Sequence, residues 1–143
     1  MMIKQQTKKT ILTTFMEEIW NQGNFSQLEN FVAPTYEIKH DPGDPWEGQI
    51  LDLDTLQTRV LYSRNAFPDL NFAIQEMVAE ADKVVAFWLM SGTHQGDLPN
   101  LPATGRSFSI SGMTIYYFDE DKVCGHTQAY DRLGFLGQVG FMG

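Results

Sequence analysis

One cysteine, Cys124, stands in a chain of 143 residues. That excludes an intrachain disulfide, leaves packing to hold the fold, and makes a reducing cytoplasm the simplest compartment. Nothing in the neighbouring sequence is placed to lower the thiol's pKa, so Cys124 reads as a small strand residue rather than a nucleophile. Basic residues are scarce too: ten Lys and Arg face eighteen Asp and Glu, a formal charge of −8. Phosphate binding needs clustered cations and these are scattered, which excludes nucleic acid as a partner. No run approaches the ~18 apolar residues of a membrane helix. The opening MMIKQQTKKT lacks the apolar core of a signal peptide, so no membrane partner is expected. There is no GxGxxG, no Walker loop and no GxSxG. The three histidines lack metal-ligand spacing and no HExxH or Cys cluster exists, so neither metal nor cofactor is expected.

What is present is apolar and aromatic. Hydrophobic residues make up 43% and aromatic ones 13%, enough for one domain over residues 1–143 to bury a core around a lined cavity. Residues 4–21 place Ile11, Leu12, Phe15, Met16, Ile19 and Trp20 on one helical stripe. A shorter helix from about Phe25 to Val32 is stopped by Pro34, and Tyr36, Ile38 and His40 then alternate as a short strand. After an Asp/Pro/Gly loop over 41–50, Asp52 or Asp54 caps a third helix carrying Leu53, Leu56, Val60 and Leu61 inward.

Longer strands follow. Leu70, Phe72 and Ile74 open the first, which turns at Ala81-Asp82. The next, VVAFWLMSGTHQG, is apolar on both parities, which predicts a central strand covered on both faces. SFSISGMTIYYF alternates with period two. Gly96, Pro99, Asn100, Pro102 and Gly105 make the connection between them a long hairpin loop. The last strand runs from Val123 to Asp131, ahead of a Gly-interrupted tail. Helices first and strands after mean an α+β fold. The expected form is a strongly curved antiparallel sheet wrapped around N-terminal helices, with a concave space at its open end for a pocket.

Candidate chemistry gathers at the open end of that sheet. On the parity of Asp131 lie Val123, Gly125, Thr127 and Ala129, all small; without a bulge they leave room before a terminal carboxylate. A partly desolvated Asp would have its pKa raised toward the range of a general acid or base. By residue pattern alone Asp131 reads first as the cap of the C-terminal segment. His94 shares a face with Trp88 and Met90 and could relay protons. His40 ends the strand above Tyr36 and Ile38, and both histidines also read as ordinary satisfied polar residues. His126 falls on the opposite parity, outside the expected pocket. Trp46 is either a lid over the pocket mouth or a loop aromatic tucked against the body.

Six local motifs then occur in order: Trp20-Asn21-Gln22-Gly23-Asn24, His40 with Gly48, Ala66-Phe67-Pro68-Asp69-Leu70, Gly92-Thr93-His94-Gln95-Gly96, Pro102-Ala103-Thr104-Gly105-Arg106, and Asp131 followed by Leu133-Gly134-Phe135-Leu136-Gly137-Gln138. Together they make the chain resemble the SnoaL-like polyketide cyclases, within the superfamily of cone-shaped, nuclear-transport-factor-like domains. The resemblance implies a cone-like half barrel with a deep pocket. It also implies cofactor-independent aldol ring closure on an apolar, aromatic or polyketide-like ketone, and a homodimer across the outer face of the sheet. It implies that Asp131 is the catalytic acid/base, with His94 and His40 as orienting or relay groups. Trp88, Trp46, Met90, Tyr36 and Thr127 would line the substrate pocket. The superfamily also holds isomerases, dehydratases and non-catalytic binders, so a small-molecule-binding module is the alternative.

Overall fold

A computed structural model describes residues 2–140, with side chains from residue 5 onward. The first helix, α1 (Met2–Phe15), and the turn after it keep the predicted stripe: Leu12, Phe15, Met16, Ile19 and Trp20 are all buried. The last three belong to a wider π-helical turn, Met16–Asn21, rather than to a continued α-helix. Arg64 Nη1 donates to the carbonyl oxygens of Trp20 and Asn21 at 2.7 and 2.8 Å, serving groups the widened turn leaves free.

The second helix is shorter than expected. It spans only Leu28–Phe31 (α2), and Val32 instead opens β1 (Val32–His40). Pro34 is the cause, because its ring drives Ala33 out of the helical region. A proline is tolerated there since β2 (Ile50–Leu51) pairs only with Tyr36 and Glu37, leaving that end of β1 open on one side. Helix α3 (Leu53–Ala66) is capped by Asp52, whose carboxylate accepts from the Thr55 N–H at 2.8 Å. It buries Leu56 and Val60 as predicted. Leu61 lies on the outer side, and the inward face carries Arg59.

The remaining strands are β3 (Asn71–Glu80), β4 (Lys83–Thr93), β5 (Ser107–Asp119) and β6 (Lys122–Tyr130), followed by α4 (Arg132–Gln138). They join one curved six-stranded sheet in the order β2-β1-β6-β5-β4-β3. Pairing is antiparallel except between β1 and β6, which run parallel. The expected antiparallel sheet is therefore mixed: β1 and β6 are far apart in sequence, so no hairpin dictates their direction. Among the described residues, no helix is long and apolar enough to cross a membrane.

β4 lies inside the sheet, as its apolar run predicts, but the chain covers only one of its faces. Val84, Ala86 and Trp88 are buried, whereas Leu89 is 39% exposed, Met113 on β5 53% and Val78 on β3 60%. Val78, Val85 and Ile115 are cross-strand neighbours, as are Phe87 and Met113. The outer face is thus a continuous apolar strip.

One irregularity decides the site. In the β5–β6 ladder Phe118 pairs with Val123 and Tyr117 with Gly125, so Cys124 is an extra residue on β6. A bulge of this kind turns over the faces of all that follows. Before it Val123 points into the core; after it His126 does, and Thr127 faces the other way, bonding the Tyr117 hydroxyl at 3.0 Å. The expectation that small residues would front the pocket fails for this reason. Gly125 is what lets the backbones meet, since a Cβ there would lie 2.5 Å from the Glu37 carbonyl oxygen. Gly125→Ala should therefore destabilise the protein by about 1–3 kcal/mol in chemical denaturation; an unchanged midpoint would show that β1 yields freely.

Candidate active site

Between the helices and the buried face of the sheet lies a cavity of about 510 Å³. Its apolar walls are aromatic. Trp20 meets Phe72 edge-on with centroids 5.5 Å apart, and Phe72 meets Trp88 at 5.0 Å. Phe67 and Phe135 form a second edge-to-face pair at 5.6 Å. Trp88 can lie flat across its neighbour strand only because residue 112 is glycine, where a Cβ would fall 2.4 Å from the indole.

The polar wall is built by β1, the loop after it, α3 and β6. Arg59, on the inward stripe of α3, reaches Asp41 at 3.0 Å and Asp44 at 2.8 Å. Asp41 Oδ2 also lies 2.8 Å from His126 Nε2, and His126 Nδ1 lies 2.6 Å from the Tyr36 hydroxyl. A carboxylate can only accept, so His126 donates from Nε2 and its Nδ1 accepts from Tyr36. Gln128 and Tyr130, on the same face of β6, complete the wall.

Burial shapes the protonation of these groups. It pushes the His126 pKa below the usual histidine value, against the opposing effect of the hydrogen bond His126 donates to Asp41, which leaves the imidazole neutral. It raises the Tyr36 phenol well above its ordinary range, and the Tyr116 and Tyr130 phenols as well. For Arg59 burial pulls downward, but Asp44, Tyr36 and Asp41 outweigh it and the guanidinium stays charged. The cavity therefore presents a neutral base, a protonated phenol and a cluster of two carboxylates around one guanidinium. Among the described residues no group of three or more His, Cys, Asp or Glu is placed to hold a metal ion.

Of the residues expected to line the pocket, Trp88, Met90 and Tyr36 do so. Thr127 is turned away by the bulge. Trp46 packs against Tyr62 at 5.5 Å, outside the cavity lining. His94 is fully buried but not in the lining; its Nδ1 faces the Thr104 hydroxyl at 3.2 Å, and Nε2 has no hydrogen-bond partner among the described residues. His40 is exposed at the end of β1. Asp131 is exposed as well: its carboxylate accepts from the Gly134 N–H at 2.8 Å and caps α4, so the cap reading describes its position. The carboxylates that line the cavity are Asp41 and Asp44, and the histidine is His126. Arg59 had a readable signal, a charge at the centre of an apolar helical stripe. His126 had one in the adjacent Gly125, since a glycine inside a strand often marks a bulge.

Comparison with known proteins follows this geometry. The family model described as SnoaL-like polyketide cyclase matches residues 10–139. No curated protein matches the chain. A crystal structure of a candidate polyketide cyclase from Acidithiobacillus ferrooxidans is 44% identical, with 96% of each chain covered and a TM-score of 0.88. TsrD from Streptomyces laurentii is 24% identical over 94% of this chain and 96% of its own, with a TM-score of 0.79. IdmH from Streptomyces antibioticus, also a candidate polyketide cyclase, is 22% identical over 93% and 98%, with a TM-score of 0.77. The last two share the fold.

The neutral burial of His126 makes stability depend on pH. Its folded pKa lies below the unfolded one, so its contribution is complete above the unfolded value and is lost as pH falls below it. Between about pH 7.5 and about pH 5.5, which bracket the unfolded histidine value of ~6.5, wild type should lose more stability than His126→Gln in urea melts. Equal losses in the two proteins would show that His126 takes up its proton as readily folded as unfolded.

Proposed function

This chain belongs to the SnoaL-like polyketide cyclase family, and on that premise we propose that its cavity is an acid/base site for an apolar, ketone-bearing small molecule, working through Tyr36, His126 and Asp41. The observation that carries the reading is the unbroken hydrogen-bonded chain from the Tyr36 hydroxyl through His126 to Asp41, buried in the wall of an aromatic cavity. In an aldol closure a C–H beside a ketone loses its proton, and the alkoxide formed at a second carbonyl gains one. Tyr36 takes the carbon's proton as its own passes to His126 Nδ1, and the imidazolium so formed is held by the Asp41 carboxylate. The electron pair left on carbon forms the new C–C bond. The proton then returns along the same path to the alkoxide, so no oxidant or reductant is consumed. Tyr36 suits a relay because burial keeps its phenol protonated at rest. Asp131 and the two remote histidines take structural roles in this scheme.

Enolisation is also the first step of many isomerases and dehydratases, so the test reads enolisation itself. The probe is α-tetralone, with exchange of its α-hydrogens in deuterium oxide followed by NMR. His126→Gln and Tyr36→Phe should each slow the protein-catalysed exchange by about 10²-fold or more. Asp131→Asn, which keeps a capping side chain, should stay within about threefold of wild type, far below the effect expected of an acid/base residue. The reverse pattern would return the acid/base role to Asp131. No catalysed exchange by wild type would favour a binding module.

The uncovered strip of Val78, Val85, Leu89, Met113 and Ile115 supports a homodimer formed by the outer faces of two sheets, since a continuous apolar patch of this kind marks an interaction surface. Wild type should sediment as a dimer and Met113→Glu as a monomer. A monomeric wild type would remove this part of the reading.

A further inference from the structure

We propose that Gln128 binds the carbonyl oxygen of the substrate, and that Trp88 and Thr114 are the positioning residues that set the direction of its amide. The inference rests on the acid/base reading above for its neighbours, yet names a binding group that reading leaves unused. Gln128 sits on β6 two residues beyond His126, so both project from the same face into the cavity. Directly across the ladder on β5 is its partner Thr114.

Three hydrogen bonds run in one direction. The Trp88 indole Nε1–H donates to Thr114 Oγ1 at 2.8 Å, and the Thr114 hydroxyl donates to Gln128 Oε1 at 2.8 Å. Gln128 Nε2 then faces both oxygens of Asp41 at 3.4 Å. Each step is forced by what the groups can do. An indole N–H is a donor only, so the threonine oxygen receives it and has its own hydrogen left to give. That hydrogen requires an acceptor, which holds the Gln128 carbonyl toward β5. At the other end a carboxylate can only accept, so it requires the –NH2. A flipped amide would set oxygen against the carboxylate and nitrogen against a hydroxyl hydrogen, an error at both ends.

The result is an amide nitrogen that cannot turn away from the polar wall. It carries two hydrogens, and among the described residues its only acceptors are the two oxygens of the one Asp41 carboxylate, both at long distance. A hydrogen remains for a ligand. The ligand group that fits a neutral donor beside a carboxylate is a neutral acceptor, and a ketone oxygen is one. A site built around a fixed donor discriminates against the analogue lacking the acceptor, because the donor is then left unpaired on binding.

Fluorenone and fluorene are a matched pair of probes, flat aromatic molecules with and without the carbonyl. Their affinities can be read from quenching of tryptophan fluorescence. Wild type should prefer fluorenone by about tenfold, the size expected of one neutral hydrogen bond. The carbonyl stretch of bound fluorenone should shift to lower frequency in the infrared. Gln128→Leu should abolish the preference and the shift, while an unchanged affinity for fluorene reports an intact cavity. Thr114→Val frees the amide and should weaken both, and Thr114→Ser, which keeps the hydroxyl, should restore them.

A preference that survives Gln128→Leu overturns the proposal, and so does a wild type without any preference, including one that binds neither probe. If Thr114→Val and Thr114→Ser behave alike, the positioning roles fall. These are equilibrium readouts. A failure of the Tyr36–His126 relay would appear separately, in the exchange rate of α-tetralone.

Discussion

A guanidinium enclosed among aromatic rings has to be matched where it lies, and much of this molecule follows from how Arg59 is matched. Asp41 and Asp44 hold it at 3.0 and 2.8 Å, with the Trp20 ring alongside at 5.5 Å. Removing Arg59 would leave the buried Asp41 carboxylate without a counter-charge, a loss of about 3–5 kcal/mol in comparable cases. The two aspartates flank the turn that leaves β1, so this one charge ties the turn to α3. It also carries the Asp41 carboxylate to the face of His126. Once Asp41 is there, the imidazole has one usable tautomer, and that tautomer orients the Tyr36 hydroxyl. The hydrogen-bonded chain from Tyr36 through His126 is therefore downstream of the ion cluster.

The apolar half of the cavity is arranged by different means. Edge-to-face packing of Trp20, Phe72 and Trp88 makes a largely hydrocarbon wall, and the indole N–H of Trp88 is taken up by Thr114. The opposite side is closed by Phe67, Phe135 and the long loop between β4 and β5, which contributes Leu98 and Leu101. An enclosure of this size and character falls in the ordinary range for small-molecule sites. The charged and apolar walls meet at Gln128, which touches the hydrogen-bond systems of both.

Periodicity made much of the fold legible. The stripe from Leu12 to Trp20, the Asp52 cap, the alternation of β5 and the α+β order could all be read because each depends on near neighbours in sequence. The six motifs pointed to the right family for the same reason. What could not be read were features set at a distance. The parallel pairing of β1 with β6 is one, and the open outer face of β4 is another, since an apolar strand does not say what covers it. On β6 the site was misread through a count. Counting alternate residues back from Asp131 assumed an unbroken strand, and the extra residue at Cys124 reversed the count, moving Thr127 out and His126 in. Asp131 had two readings from its context, and its exposed position capping α4 matches the local one.

The bulge has a bearing on how such a protein could change. The outward face of β6 beyond Cys124 carries Gly125, Thr127 and Ala129, while the inward face carries His126, Gln128 and Tyr130. Both sets are written into the same nine residues, and one surplus residue selects between them. Loss of that residue would leave Val123 and Gly125 opposite Phe118 and Tyr117 in a regular ladder, with His126 and Gln128 still inward. The faces exchange only if Cys124 is drawn into the pairing, a one-residue slip that needs no substitution. The same nine residues thus hold two alternative walls one register step apart, and retention of the bulge is what keeps His126 and Gln128 in the cavity.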